Sequence, residues 1–169
     1  MVKTDEIWSM LAEINDPEVP VLSVVDLGII RDIRINPDPT GAGRDEVEIV
    51  ITPTYNGCPA MDTIRMNIRM MMLARGYANV KLTTVLSPAW TTDWMSEKGK
   101  EKLLEYGIAP PLPVQQVCHP GLFRMEEAIP CPRCRSYHTE RISEFGSTAC
   151  KALYRCKDCG EPFDYFKCH

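Results

Sequence analysis

Two paired cysteine motifs near the end of the chain, Cys131-Pro132-Arg133-Cys134 and Cys156-Lys157-Asp158-Cys159, constrain folding more than any other feature of the 169 residues. Twenty-one residues separate them. A stretch as short as 131–169 cannot bury enough apolar surface to fold alone. Four thiolates closing on one zinc ion supply roughly 10–16 kcal/mol of apparent binding free energy that becomes folding free energy. The spacing falls one residue outside the usual window for paired zinc knuckles, a departure that a slightly longer hairpin absorbs. It predicts a zinc ribbon over 131–169, with Cys131, Cys134, Cys156 and Cys159 as tetrahedral ligands of a structural zinc. The same four sulfurs could hold a single iron, so a redox-active tail stays open.

Eight cysteines could instead form an oxidised framework. Against this, residues 1–10 show no basic end followed by a long apolar run. No stretch approaches the roughly eighteen apolar residues needed to span a bilayer. The expectation is therefore a soluble, cytoplasmic protein in a reducing compartment, with no membrane partner. The net charge is −4. Residues 131–169 carry seven Lys/Arg against five Asp/Glu, and a four-thiolate site holding a divalent ion adds about −2, which removes that excess. Nucleic acid is not an expected partner.

Upstream, Thr4 can cap a helix whose first turn holds Asp5 and Glu6, with Ile7, Leu11 and Ile14 at helical spacing and Asp16-Pro17 as its stop. The odd positions 29–35 read Ile, Arg, Ile, Ile. With the turn-rich 37–43 segment and Val47, Ile49 and Ile51 beyond it, they predict a hairpin. Cys58-Pro59 opens a second helix, with Met61, Ile64, Ile68 and Met71 on one face and Gly76 past its end. A strand with Val80, Leu82, Thr84 and Leu86 on one face follows, then a helix capped by Ser96 and ended by Gly107. The order predicts an α+β fold over 1–110, a small sheet with helices on one face, then a Pro-rich linker over 111–130 and the ribbon over 131–169. Met66, Met70, Met71 and Met72 are read as packing residues rather than a soft metal site.

Cys58 stands beside a helix N-terminus, where unpaired N–H groups and the helix dipole favour a thiolate, so it is a candidate ligand or nucleophile. A small buried hydrophobe is the alternative. Nucleophilic catalysis with a histidine base is disfavoured, because His119, His138 and His169 all lie beyond the first domain. No glycine-rich phosphate loop is present either. Cys118, Cys150 and Cys168 exceed the four ribbon ligands. Cys150 and Cys168 read as ribbon packing or as ligands of a second, labile site.

Asp16-Pro17-Glu18-Val19-Pro20, Asp26-Leu27-Gly28-Ile29-Ile30, Thr52-Pro53-Thr54-Tyr55-Asn56-Gly57-Cys58-Pro59 and Ser87-Pro88-Ala89-Trp90 together resemble the small domain of iron-sulfur cluster assembly factors of the metal-sulfur maturation family. Trp90-Thr91-Thr92-Asp93-Trp94-Met95, residues 144–156 and residues 161–168 extend the likeness over the whole chain, which is similar to the D-subunit family of bacterial phenylacetyl-CoA epoxidase systems. The resemblance implies an accessory component rather than a catalyst. Such a component would work with the oxygenase and reductase subunits of that system in phenylacetate catabolism and assist assembly or insertion of an iron-sulfur cluster or iron. Carried onto this sequence, Cys58 becomes the cluster or iron contact, with Asp16 and Glu18 nearby. One cysteine cannot hold a cluster that wants four ligands, so a transient cluster would need a second chain in a homodimer, a small thiol, or client cysteines. A purely structural subunit and a rubredoxin-like electron carrier are the competing readings.

Overall fold

The computed structural model describes residues 4–37, 45–55, 57–112 and 129–167. The chain forms two compact units, residues 1–90 and 91–169. Among the described residues no helix is long and apolar enough to cross a membrane.

In the first unit, α1 (Thr4–Leu11) buries Ile7, Met10 and Leu11. The expected continuation through Ile14 is a tighter turn: the Glu13 and Ile14 amides donate to the Met10 and Leu11 carbonyls at 3.1 Å each. Ile14 is nonetheless buried. β1 (Ile30–Asn36) and β2 (Glu46–Ile51) form an antiparallel hairpin. Its period of two is broken at the start, where the register shifts between Ile30 and Asp32. This bulge lets Ile29 and Ile30 both be buried and turns Arg31 out to solvent, whereas strict alternation would place Arg31 on the inner face.

α2 (Ala60–Ala74) then carries the chain over to β3 (Val80–Thr84), which pairs parallel to β2, so the sheet order is β1-β2-β3. Val47, Ile49 and Ile51 of β2 and Ile33 of β1 are buried on one face, beneath the Met61, Ile64, Ile68 and Met72 stripe of α2. The other face carries the buried Val50 beside polar groups. There Glu48 accepts from Thr83 Oγ1 at 2.6 Å and pairs with Lys81 at 3.1 Å, which holds its carboxyl below the usual carboxylate range. The helical period decides the methionines: Met72 is buried, while Met66 and Met70 lie on the opposite face and are 59% and 63% exposed. Packing therefore accounts for Met72 and not for Met66 or Met70.

In the second unit, Ser96 Oγ accepts from the Gly99 amide and caps α3 (Glu97–Glu105). β4 (Ile108–Ala109) runs parallel to β7 (Pro162–Phe166), which with β6 (Lys151–Cys156) and β5 (Thr139–Ser143) completes a sheet of order β4-β7-β6-β5. Because Ile108 and Ala109 pair with Asp164 and Tyr165, the chain on the α3 side joins the ribbon sheet, and the units divide at 90/91 rather than at 110. Ala109, Ile129, Ala152, Tyr154, Phe163 and Tyr165 form a small core in which Tyr154 stacks on Phe163 and meets Tyr165 edge-on. The 38–44 loop and most of the expected linker, with Cys118 and His119, lie outside the described residues, as do Cys168 and His169.

Burial predicts unequal costs along α2. Ile68→Ala should lower the unfolding free energy by about 2–5 kcal/mol, and Met70→Ala should change it by no more than about 0.5 kcal/mol. Urea denaturation followed by circular dichroism measures both.

Candidate metal centre

The two cysteine pairs fold into matching knuckles. In the first, the Cys131 amide donates to the Ser136 carbonyl and the Arg135 amide returns to the Cys131 carbonyl, each at 2.9 Å. In the second, the Cys156 amide donates to Glu161 at 2.9 Å and the Gly160 amide to Cys156 at 3.0 Å. Both turns need a left-handed residue directly after the second cysteine, and Arg135 (φ 65) and Gly160 (φ 78) supply it. The first cysteine of each pair, Cys131 and Cys156, is buried, and the second, Cys134 and Cys159, is exposed.

The four sulfurs lie within 4.8 Å of one another, with Cys131 to Cys159 at 3.8 Å and Cys134 to Cys156 at 3.5 Å. A disulfide needs about 2.05 Å. A tetrahedral ion with metal–sulfur bonds of about 2.3 Å needs sulfur–sulfur edges of about 3.8 Å. The residues thus fit a four-thiolate ion, a donor set suited to zinc or a single iron. Without the ion, Cys156 and Cys134 titrate far apart. Backbone N–H groups of Cys159 and Asp158 outweigh burial and bring Cys156 down to about 7. At Cys134 the Ser136 amide favours the thiolate, but burial and the sulfurs of Cys156, Cys159 and Cys131 outweigh it and push the thiol up to about 12.

Reciprocal side-chain contacts brace the knuckles. Arg133, inside the first, pairs with Glu161 at 2.6 Å just beyond the second. Asp158, at the equivalent place in the second, accepts from Ser136 Oγ and meets His138 Nδ1 at 2.9 Å just beyond the first. Glu161 raises the Arg133 guanidinium, and Ser136 and His138 hold the Asp158 carboxyl down. Sequence reading singled out the cysteines and passed over these braces. The one signal for them was opposite charge at the same offset from the first cysteine of each pair.

The other proposed residues occupy a different setting in the first unit. Cys58 is half-buried; its amide donates to the Tyr55 carbonyl at 3.3 Å, and its own carbonyl accepts from Met61 at the start of α2. Asp16 is buried, and its Oδ1 accepts the Glu18 and Val19 amides at 2.8 Å each, so it shapes its own loop. Asp26 does the same for Ser23. Among the described residues, the four ribbon cysteines are the one set of three or more Cys, His, Asp or Glu gathered closely enough to hold an ion, so Cys58, Asp16 and Glu18 are not gathered into such a set. Cys150 is buried, lies outside the four-sulfur set and contacts Thr148 Oγ1 at 3.0 Å.

Three of the four first-unit motifs meet at one turn: Trp90 Nε1 donates to the Leu27 carbonyl and the Thr52 amide to the Ile29 carbonyl, each at 2.9 Å. Thr52 begins the loop that delivers Cys58 to α2.

Two outcomes are expected. Asp158→Ala should weaken metal affinity about 10- to 100-fold, measured by competition with a chromophoric chelator, because a brace of the ligand turn is lost. Metal loading requires ionised thiols, so affinity should rise from about pH 6 to pH 8 with measurable proton release, since protons compete at lower pH.

Family comparisons divide the chain along similar lines. The model for an "Iron-sulfur cluster assembly protein" matches residues 4–81, and the model for a "PaaD zinc beta ribbon domain" matches residues 116–167. A crystal structure of a domain of unknown function, DUF59, from Bacillus anthracis superposes with a TM-score of 0.51 at 23% identity, over 59% of this chain and 89% of that one, a likeness of fold alone. An Escherichia coli K12 protein, provisionally named as the D component of 1,2-phenylacetyl-CoA epoxidase, is 51% identical over 163 residues, 96% of this chain and 92% of that protein. With that identity over nearly the full length of both, the chain belongs to the D-subunit family of phenylacetyl-CoA epoxidases.

Proposed function

We propose that this chain is a non-catalytic accessory component of a multicomponent phenylacetyl-CoA epoxidase, acting in the cytoplasm beside its oxygenase and reductase subunits. There it assists assembly or insertion of an iron-sulfur cluster or iron. The observation that carries the reading is the position of Cys58: a half-buried thiol leading into α2, inside the segment matched by the iron-sulfur assembly family and separate from the ribbon sulfurs. In this reading zinc is the resident ion of the ribbon, held by Cys131, Cys134, Cys156 and Cys159, and it makes the small second unit rigid enough to serve as a docking module.

The chemistry follows from ligand number. A cluster wants four protein ligands, and Cys58 offers one, so the remaining positions are open to ligands from a client. Weak, incomplete ligation suits transfer rather than storage. Asp16 supports this indirectly, because its hydrogen bonds to Glu18 and Val19 hold the Asp-Pro-Glu loop in one shape. The exposed outer sulfurs, Cys134 and Cys159, favour one second reading: a ribbon loaded with a single iron would present its ion for electron transfer.

Metal content and client loading separate these readings. Cys58→Ala should keep the thermal midpoint and one zinc per chain while lowering cluster occupancy of the co-expressed reductase several-fold. Unchanged occupancy would remove the delivery role. One iron per chain that survives in Cys58→Ala, with a reversible one-electron couple, would establish the electron-transfer reading instead.

A further inference from the structure

The four ribbon sulfurs have a second chemistry open to them besides holding an ion. All belong to the second unit and lie within 4.8 Å of one another. Each exposed sulfur stands beside the buried sulfur of the opposite knuckle: Cys159 is 3.8 Å from Cys131, and Cys134 is 3.5 Å from Cys156. A disulfide needs about 2.05 Å, so either pair closes by a movement of under about 2 Å. The sulfurs that a small oxidant meets are thus Cys134 and Cys159, and each has a second sulfur within reach to resolve its oxidised form.

We propose that the ribbon is a peroxide-responsive switch, in which Cys159 and Cys134 are oxidised and then bonded to Cys131 and Cys156, so that two cross-knuckle disulfides replace the ion. The oxidant is hydrogen peroxide, small enough to need only the exposed edge of each sulfur. An exposed thiolate attacks one peroxide oxygen, the O–O bond breaks, and a sulfenic acid and hydroxide form. The buried thiolate of the opposite knuckle then attacks the oxidised sulfur, the S–O bond breaks, and a second hydroxide leaves as the disulfide forms. The two sulfurs give up two electrons, and one peroxide is reduced to two hydroxides, which protons from solvent convert to water. Repeated at the other pair, this consumes every thiolate ligand and frees the divalent ion.

Pairing across the knuckles decides whether the unit stays folded. The bonds from Cys131 to Cys159 and from Cys134 to Cys156 join positions 28 and 22 apart. A crosslink over such a loop removes more unfolded-state entropy than one closing the short step inside a single knuckle. It also joins the same two knuckles that the ion joins. The braces contain no sulfur: Arg133 with Glu161 at 2.6 Å and Asp158 with His138 at 2.9 Å keep the knuckles face to face when the ion leaves. The sheet therefore survives oxidation while the metal site does not, and a thiol reductant restores the site. The device uses none of Asp16, Glu18 or Cys58, so it stands apart from the delivery role, and it rests only on zinc as the ion of the ribbon.

Treating the full zinc-loaded chain with a modest excess of hydrogen peroxide tests the proposal. Zinc is counted before the oxidant is added, so failure of the zinc reading shows separately from failure of the switch. Released zinc is followed with a chromophoric chelator, and disulfides are mapped by mass spectrometry of unreduced peptides. Bound zinc should fall at least about tenfold, with Cys131 bonded to Cys159 and Cys134 to Cys156 as the main products. Circular dichroism should retain the sheet signal, and dithiothreitol with added zinc should restore full loading. Zinc that stays bound while other cysteines oxidise would overturn the proposal. So would disulfides confined to the pairs within each knuckle, sulfinic or sulfonic acids in place of disulfides, or loss of the sheet signal.

Discussion

Four sulfurs brought within 4.8 Å of one another are the constraint on which the second unit depends. Its core is a handful of side chains, and two of them, Cys131 and Cys156, are themselves members of the sulfur set. The buried cysteine of each knuckle packs into the aromatic core of Tyr154, Phe163 and Tyr165, while its exposed partner closes the site from the solvent side. Core packing and ion binding are thus the same event. A ribbon without its ion would bring together thiols that cannot all ionise, and would lose the strongest stabilisation open to so small a unit.

Symmetry at the metal centre comes from backbone turns and is reinforced by charge. Each knuckle uses a left-handed residue after its second cysteine, and each sends one side chain across to the far end of the other. Because Arg133 and Asp158 are opposite in sign, the two braces do not compete for partners. They limit the freedom of the ligand turns before an ion arrives, which lowers the ordering cost of binding.

The first unit solves a different problem. Its sheet is small, its helix-covered face is filled by aliphatic side chains, and its loops are held by buried carboxylates that accept amides of their own segments. The Leu27–Ile29 turn gathers Trp90 and Thr52, so motifs far apart in the chain converge behind the loop that presents Cys58. In the neighbouring Asp-Pro-Glu loop, Asp16 Oδ1 accepts two amides at 2.8 Å each, so this oxygen shapes its own segment.

The sequence by itself determined what local periodicity and fixed spacing can encode. The hairpin, the face of α2 carrying Ile64 and Ile68, the Ser96 cap and the α+β class with a terminal ribbon were legible because each depends on residues a few positions apart. The two cysteine pairs were legible for the same reason. Tertiary structure alone decided the rest. It moved α3 and β4 into the second unit, because strand pairing of Ile108 and Ala109 with β7 is a contact across more than fifty residues of sequence that no local pattern announces. It turned Arg31 outward through a bulge and left Met66 and Met70 in the open, since burial depends on which surface a neighbouring element covers. It also placed Arg133 against Glu161 and Asp158 against His138, pairings that exist only once the two knuckles face each other.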